Sequence, residues 1–226
     1  MIIAIDGPAG AGKSTIARRV ARKLGFLYID TGAMYRALTL KALESGTDIS
    51  NDLSLVNLAK DTVIELINTA DGALRVLLDG KDVTGQIRQP RITRVVSDIA
   101  KVPQVRAILV ELQRKIGSKG SSILDGRDIG TVVFPDAEKK FFLDARPDER
   151  IRRRYQELKE AGQCITMDEV ACDIKNRDII DSTRQAAPLK KAEDAIYIDT
   201  TDMPIEKVIA LVLGYLEDEA RGYKKL

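Results

Sequence analysis

The chain has 226 residues, 44% of them hydrophobic and 31% charged, with a formal net charge of +2. That length suffices for one domain with a sizeable core. So small a charge excess argues against nucleic acid held by bulk electrostatics, and the absence of a basic leader or a long apolar run leads us to expect a cytoplasmic chain without membrane contact.

No histidine occurs, which removes Ser-His-Asp and Cys-His catalysis. Cys164 and Cys172 lie eight apart in a polar stretch read as helical. Without histidine they cannot complete a four-ligand zinc site and are expected to be ordinary thiols.

The first predicted element is a buried strand over 2–6, which runs into Gly7-Pro8-Ala9-Gly10-Ala11-Gly12-Lys13-Ser14. This fits Gly, any four residues, Gly, Lys, Ser/Thr, and it stands between a strand and a helix, where phosphate binding requires it. The glycines let backbone N–H groups turn toward an anion, and the following helix adds unpaired donors and the positive end of its dipole. Lys13 can reach the β/γ-phosphates and the Ser14 hydroxyl can enter the shell of a Mg²⁺ ion. The stretch from Gly7 through Thr15 is therefore the expected triphosphate site; a glycine-rich turn with a stray lysine is the plainer alternative.

A helix over 13–24, stopped by Gly25, comes next. Further buried strands are expected over 26–30, 122–125, 140–144 and 196–200, separated by helical periodicity, which predicts an α/β fold with a central parallel sheet. Asp6, Asp30, Asp125, Asp144 and Asp199 fall at the carboxyl ends of these strands, the edge where such sheets bind ligands. Helix capping is the competing role for about half of them. Segments 63–67, 74–78 and a shorter one around Val83, divided by Asp71-Gly72 and Asp79-Gly80, read as a small antiparallel insertion. Helices follow over 90–100 and 105–116. After Pro147 a helix carries Arg150, Arg153 and Arg154 on one face and Ile151, Tyr155 and Leu158 on the adjacent one. The last helix, 205–220, has an apolar stripe of Ile205, Val208, Ile209, Val212 and Leu216.

A triphosphate site leaves GTPases, ATPases and small-molecule kinases open, as well as a nucleotide-dependent switch. The chain has no Asn-Lys-x-Asp segment to read guanine. Arg36, Arg127, Arg150, Arg153, Arg154, Arg177 and Arg184 can face the phosphate site, although a solvated basic face also explains the run after Pro147. Guanidinium groups match phosphate oxygens and neutralise charge on a transferring phosphoryl group. An acceptor that is itself a phosphate monoester is already ionised and needs no strong base.

Asp30-Thr-Gly-Ala-Met-Tyr-Arg36, Asp125-Gly-Arg-Asp-Ile-Gly-Thr-Val-Val-Phe-Pro-Asp136 and Arg177-Asp-Ile-Ile-Asp-Ser-Thr-Arg-Gln-Ala-Ala-Pro-Leu189 join the phosphate-loop segment in a pattern that spans the chain. With them the chain resembles the bacterial-type cytidylate kinases, a family of nucleoside monophosphate kinases. The resemblance implies a P-loop kinase three-layer α/β sandwich in one domain: a core of about 1–61, 103–149 and 185–226, a monophosphate-binding insertion of about 62–102 and a lid of about 150–184. It implies ATP and CMP or dCMP as substrates and Mg²⁺ with the ATP; a monomer is expected by default. By the same resemblance Thr31, Arg36 and Arg127 line or hold the acceptor phosphate, and Ser97, Arg106 and Asp128 read the cytosine edge. Asp181 and Arg184 contact the ribose, and Lys13, Arg154 and Arg177 act on the transferred phosphoryl group. Asp125, with Ser14, orients Mg²⁺, through water. Ile179 and Ile180 stand where the family pattern is more charged. Cytosine offers an exocyclic amine that the Asp128 carboxylate can accept, where uracil offers a carbonyl.

Overall fold

The computed structural model describes residues 1–222, with side chains through Leu216. The expected core reaches to 226, so its last four residues lie outside the described ones.

Strand β1 (Ile2–Asp6) is an Ile/Ala run buried on both faces, as the middle of a parallel sheet demands. It leads through the glycine-rich loop into α1 (Lys13–Leu24). Gly25 ends that helix in the left-handed conformation, at φ +68°. Strand β2 (Leu27–Asp30) passes directly into α2 (Thr31–Glu44), because the Asp30 carboxylate caps the helix by accepting from the Ala33 N–H at 2.8 Å. Helix α3 (Asp52–Lys60) follows, then the antiparallel strands β3 (Ile64–Asn68), β4 (Leu74–Leu78) and β5 (Lys81–Asp82). Asp79 and Gly80 both take positive φ, the tight hairpin that their sequence signals. A 3-10 turn, Gln86–Arg88, opens into α4 (Pro90–Ala100) and α5 (Pro103–Gly117), each with proline in its first turn. The rest comprises β6 (Ser122–Gly126), a π turn at Ile129–Val133, β7 (Lys139–Asp144), α6 (Pro147–Glu160), α7 (Met167–Thr183), β8 (Ile196–Asp199) and α8 (Ile205–Gly222).

The main sheet is parallel throughout, in the order β2-β6-β1-β7-β8. Along β1 the side chains alternate: Ala4 packs with Ile29 and Leu124 under α2 to α5, while Ile3 and Ile5 pack with Phe141 and Leu143 under α1 and α8. Helices therefore cover both faces. The antiparallel sheet joins the first of these layers through Val76 and Leu78. It is also tied to the exposed edge of β2, where the Asn68 side chain pairs with the Tyr28 backbone N–H and C=O at 3.1 and 3.0 Å. Helices α6 and α7 form a hairpin around a small core of their own, Leu158, Val170 and Ile174 with Ile151, Tyr155 and Ile165. Thr166 and Glu169 cap α7 reciprocally. Among the described residues no helix is long and apolar enough to cross a membrane.

Two expectations are corrected. Ile205 is 45% exposed, because it stands at the first position of α8 before the helix reaches the sheet; Val208, Ile209, Val212 and Leu216 form the buried stripe. Cys164 lies in the loop between α6 and α7 rather than on a helix, and only Cys172 is helical; both are exposed and neither forms a disulfide.

Gly7 takes φ +146°, and a Cβ there would sit 1.9 Å from the Leu143 carbonyl oxygen; a Cβ at Gly25 would meet nothing within 4 Å. Gly7→Ala should therefore cost about 3 kcal/mol or more, from backbone strain plus a clash with main chain. Gly25→Ala should cost only about 1–2 kcal/mol, for the left-handed conformation alone. Urea unfolding of the two variants measures the contrast, and equal losses would contradict it.

Candidate active site

The carboxyl ends of β1, β2 and β6 open into a cleft of about 610 Å³, roofed by α4 on one side and the α6–α7 hairpin on the other. Its floor is the phosphate loop. Ala9, Gly10, Gly12, Lys13, Ser14 and Thr15 line the cleft, whereas Gly7, Pro8 and Ala11 do not. The Lys13 ammonium donates to the Pro8 carbonyl at 2.6 Å. Gly10 is needed because α6 sits on the loop: a Cβ there would come within 2.7 Å of the Arg150 carbonyl oxygen.

Asp125, at the end of β6, accepts from the Ser14 hydroxyl at 2.6 Å and from the Tyr28 hydroxyl at 2.9 Å. Burial and the neighbouring Asp30 raise its carboxyl to about 6. A buried carboxylate and an adjacent hydroxyl, both oxygen donors, suit a hard cation such as Mg²⁺. Among the described residues no group of three or more acidic, histidine or cysteine side chains could hold a metal. An ion here would thus take its other ligands from phosphates and water, the usual arrangement for Mg²⁺.

The arginines divide into two sets. Arg36, Arg127, Arg154, Arg177 and Arg184 line the cleft with Lys13. Arg150 and Arg153, expected there on the strength of their shared helix face, do not. Arg150 donates to Ala9 O at 3.0 Å and to Asp178 at 2.6 Å, clamping α6 to the phosphate loop and α7. Arg153 donates to Glu149 and to Thr200 Oγ1 and O. The helix face brings all three toward the cleft, but backbone acceptors across the gap engage two of them first.

On the far side, Thr31 lines the cleft with its hydroxyl donated to Asp125 O at 2.7 Å. Arg127 donates to Asp181 at 2.9 Å, and Ser97 donates to the other Asp181 oxygen at 3.4 Å. Asp128 does not pair with its neighbour Arg127. Its carboxylate lies between Arg106, which donates through Nη2, and Arg184, whose Nη2 is 3.5 Å away. Arg106 is 4% exposed, with its guanidinium 5.3 Å from the Tyr35 ring centroid. Ser97 lies within α4 and caps no helix. Every expected catalytic, acceptor-site and metal-site residue therefore lines this one cleft.

The electrostatics are those of a site for anions. Among the described residues, nine cationic side chains line the cleft against six carboxylates. Burial, then Arg127, lowers the Lys13 ammonium well below its ordinary range. Burial and Arg127 likewise push Arg177 down to about 9, and burial lowers Arg36. Each would regain its ordinary affinity for the proton beside a phosphate.

Sequence reasoning missed Arg88, which lines the cleft 3.6 Å from Asp30, and Tyr28, whose hydroxyl holds Asp125. An aromatic with a polar tip inside an otherwise aliphatic strand was the available signal for Tyr28. Ile179 is 51% exposed and does not line the cleft.

A polyphosphate anion should therefore stabilise the fold. Pyrophosphate at about a hundred times its dissociation constant adds about 2.7 kcal/mol, or roughly 5–10 °C in Tm for a chain of this size. Lys13→Ala should keep nearly the same Tm without the anion and lose most of the rise with it. A variant that melts far lower alone, yet gains the full increment, would contradict the assignment of Lys13 to the anion.

A family model described as cytidylate kinase matches residues 3–218. The cytidylate kinase of Pelotomaculum thermopropionicum is 54% identical over 212 residues, covering 94% of this chain and 94% of its own. That of Clostridioides difficile is 51% identical over 214 residues, covering 95% and 97%. Among solved structures, a gluconokinase from Sinorhizobium meliloti matches with a TM-score of 0.51 at 11% identity, over 99% of this chain and 97% of its own. An uncharacterized protein from Eubacterium ventriosum matches at 0.52 and 13% identity, over 96% and 98%. At such identities the likeness is one of fold.

Proposed function

This chain belongs to the cytidylate kinase family and is an ATP-dependent kinase of CMP or dCMP, and from that premise we propose how its cleft performs the transfer. The observation that carries the reading is a buried carboxylate, Asp128, held between Arg106 and Arg184 in the same cleft as the phosphate loop.

The loop amides and Lys13 hold the β/γ-phosphates of ATP, and Ser14 and Asp125 would hold a Mg²⁺ ion, Asp125 through water. When bound, that ion neutralises charge on the β- and γ-oxygens. Arg36 and Arg127, beside Thr31, hold the phosphate of the acceptor. An ionised oxygen of that phosphate attacks the γ-phosphorus and the bond to the β-bridging oxygen breaks, leaving ADP and CDP or dCDP. No side chain has to remove a proton, so a chain without histidine loses nothing. Arg154 and Arg177 reach from the α6–α7 hairpin and stabilise charge spread over the transferring group.

At the other end Ser97, Arg106 and Asp128 read the cytosine edge, while Asp181 and Arg184 contact the ribose. The apolar side chains Leu158, Ile165, Val170 and Ile174 face the cleft from the hairpin, and closing them over the nucleotides excludes the water that would hydrolyse ATP. In this reading a lid of about 150–184 and an insertion of about 62–102 act on one core. One chain supplies the whole site, so a monomer suffices, and free nucleotides as substrates fit work in the cytoplasm.

Arg154→Ala and Arg177→Ala should each lower kcat more than they raise KM for CMP, because the interaction strengthens in the transition state. A change confined to KM would reassign both to ground-state binding.

Asp128 supplies the sharper test. As a carboxylate it only accepts, whereas an asparagine can turn its amide to donate to a uracil carbonyl. Asp128→Asn should lower kcat/KM for CMP by about tenfold to a hundredfold, an interaction of about 1–3 kcal/mol, and narrow the CMP/UMP ratio. If Asp128 served only to hold Arg106 and Arg184 in place, activity on both acceptors would fall in proportion and the ratio would stay fixed.

A further inference from the structure

Asp128 stands at the N-terminal boundary of the π turn Ile129–Val133. At that position an aspartate ordinarily folds its carboxylate back onto the unpaired N–H groups of its own turn. Here the side chain makes no capping bond; its oxygens face Arg106 and Arg184. Were nothing else available, the first amides of the turn would be buried donors without acceptors, and the carboxylate would be drawn back to satisfy them.

Another carboxylate takes that role. Ile129 N–H donates to Oδ1 of Asp6 and Gly130 N–H to Oδ2, both at 2.8 Å. Asp6 is the last residue of β1, directly before Gly7, and is 4% exposed. It does not line the cleft. Burial raises its carboxyl to about 7, while the two amides and Lys13 pull it down and Asp128 pushes it up. A Cβ at Gly130 would press on the Lys140 methylenes at 3.0 Å and stand in ordinary contact with Asp6 Oδ2, 3.5 Å away.

We propose that Asp6 is a positioning residue for base recognition: by capping the π turn from another strand, it frees Asp128 to face the cleft and fixes its place relative to the end of β1. The strand-end acid that opens the ATP-binding loop thereby sets the geometry with which the opposite end of the cleft reads its base. This inference rests on the reading of Asp128 as the group that accepts from cytosine.

Asp6→Asn keeps the shape but offers one acceptor where two are needed, so one amide faces an NH₂ group. It should raise KM for CMP about tenfold and narrow the CMP/UMP ratio, with kcat and the dissociation constant for ATP changed by less than about twofold. In the double variant Asp6→Asn/Asp128→Asn the narrowing caused by Asp6→Asn should vanish, since both act through one carboxylate. Should Asp6→Asn fail to fold, Asp6→Ser, whose one hydroxyl oxygen replaces the two carboxylate acceptors, should raise KM for CMP and narrow the ratio in the same sense. An unchanged CMP/UMP ratio in Asp6→Asn or in its Asp6→Ser substitute, or equal losses on both acceptors, would overturn the inference while Asp128→Asn still narrows the ratio. If Asp128→Asn alone leaves that ratio fixed, the base-reading assignment itself fails, and this inference falls with it.

Discussion

Cationic groups that repel one another have to be held together in one cleft, several of them buried, and most of this structure can be understood as the means of doing so. Lys13, Arg36, Arg127, Arg154 and Arg177 converge where the sheet ends. Burial lowers the affinity of Lys13, Arg36 and Arg177 for their protons, and each neighbouring cation lowers it further. Three carboxylates offset part of this. Asp30 lies near Arg36 and Arg88, Asp181 takes Arg127 and lies near Arg177 and Arg184, and Asp128 takes Arg106. The positive excess that remains is suited to phosphate esters, for which guanidinium groups have matching geometry.

Rigid elements bear the repulsion. Three adjacent parallel strands, β2, β6 and β1, end within one residue of one another: Asp30 is in register with Asp125, and Asp6 stands one step further on, opposite Gly126. Each acid then fastens a different element: Asp30 the start of α2, Asp125 the Ser14 and Tyr28 hydroxyls, Asp6 the π turn. Arg150 ties the α6–α7 hairpin to the loop it covers. That hairpin has only a small apolar cluster of its own, so it is the element best suited to move while the sheet stays fixed.

Features that depend on neighbours in sequence were legible in the chain before any coordinates. The phosphate loop, the Gly25 stop, the Asp79-Gly80 hairpin and the helices at Pro90 and Pro147 each express a local conformational demand, and the structure has them where the residues signal them. The reciprocal Thr166–Glu169 cap was equally legible but unread. Features that depend on what lies across a gap were not. Helical spacing puts Arg150, Arg153 and Arg154 on one face, yet cannot say that Ala9 and Thr200 present carbonyls to the first two. Adjacency suggests that Arg127 pairs with Asp128, yet the alternation of side chains around the turn sends them to Asp181 and Arg106. Tyr28, Arg88 and Asp6 act through partners 97, 58 and 123 positions away, respectively. Their roles in the candidate site had to be read from the fold.

On this reading the cleft holds ATP and a nucleoside monophosphate phosphate to phosphate, moves one phosphoryl group between them and selects the second by its cytosine edge. The most direct measurement is ADP formation from ATP and Mg²⁺ in the presence of CMP, dCMP, UMP, AMP or GMP, or with no acceptor. The expected result is ADP formation that requires an acceptor, with kcat/KM for CMP or dCMP at least about tenfold above that for UMP, the discrimination one mismatched buried hydrogen bond supplies. ADP formation at one rate whatever the base, or slow hydrolysis that no acceptor accelerates, would contradict it.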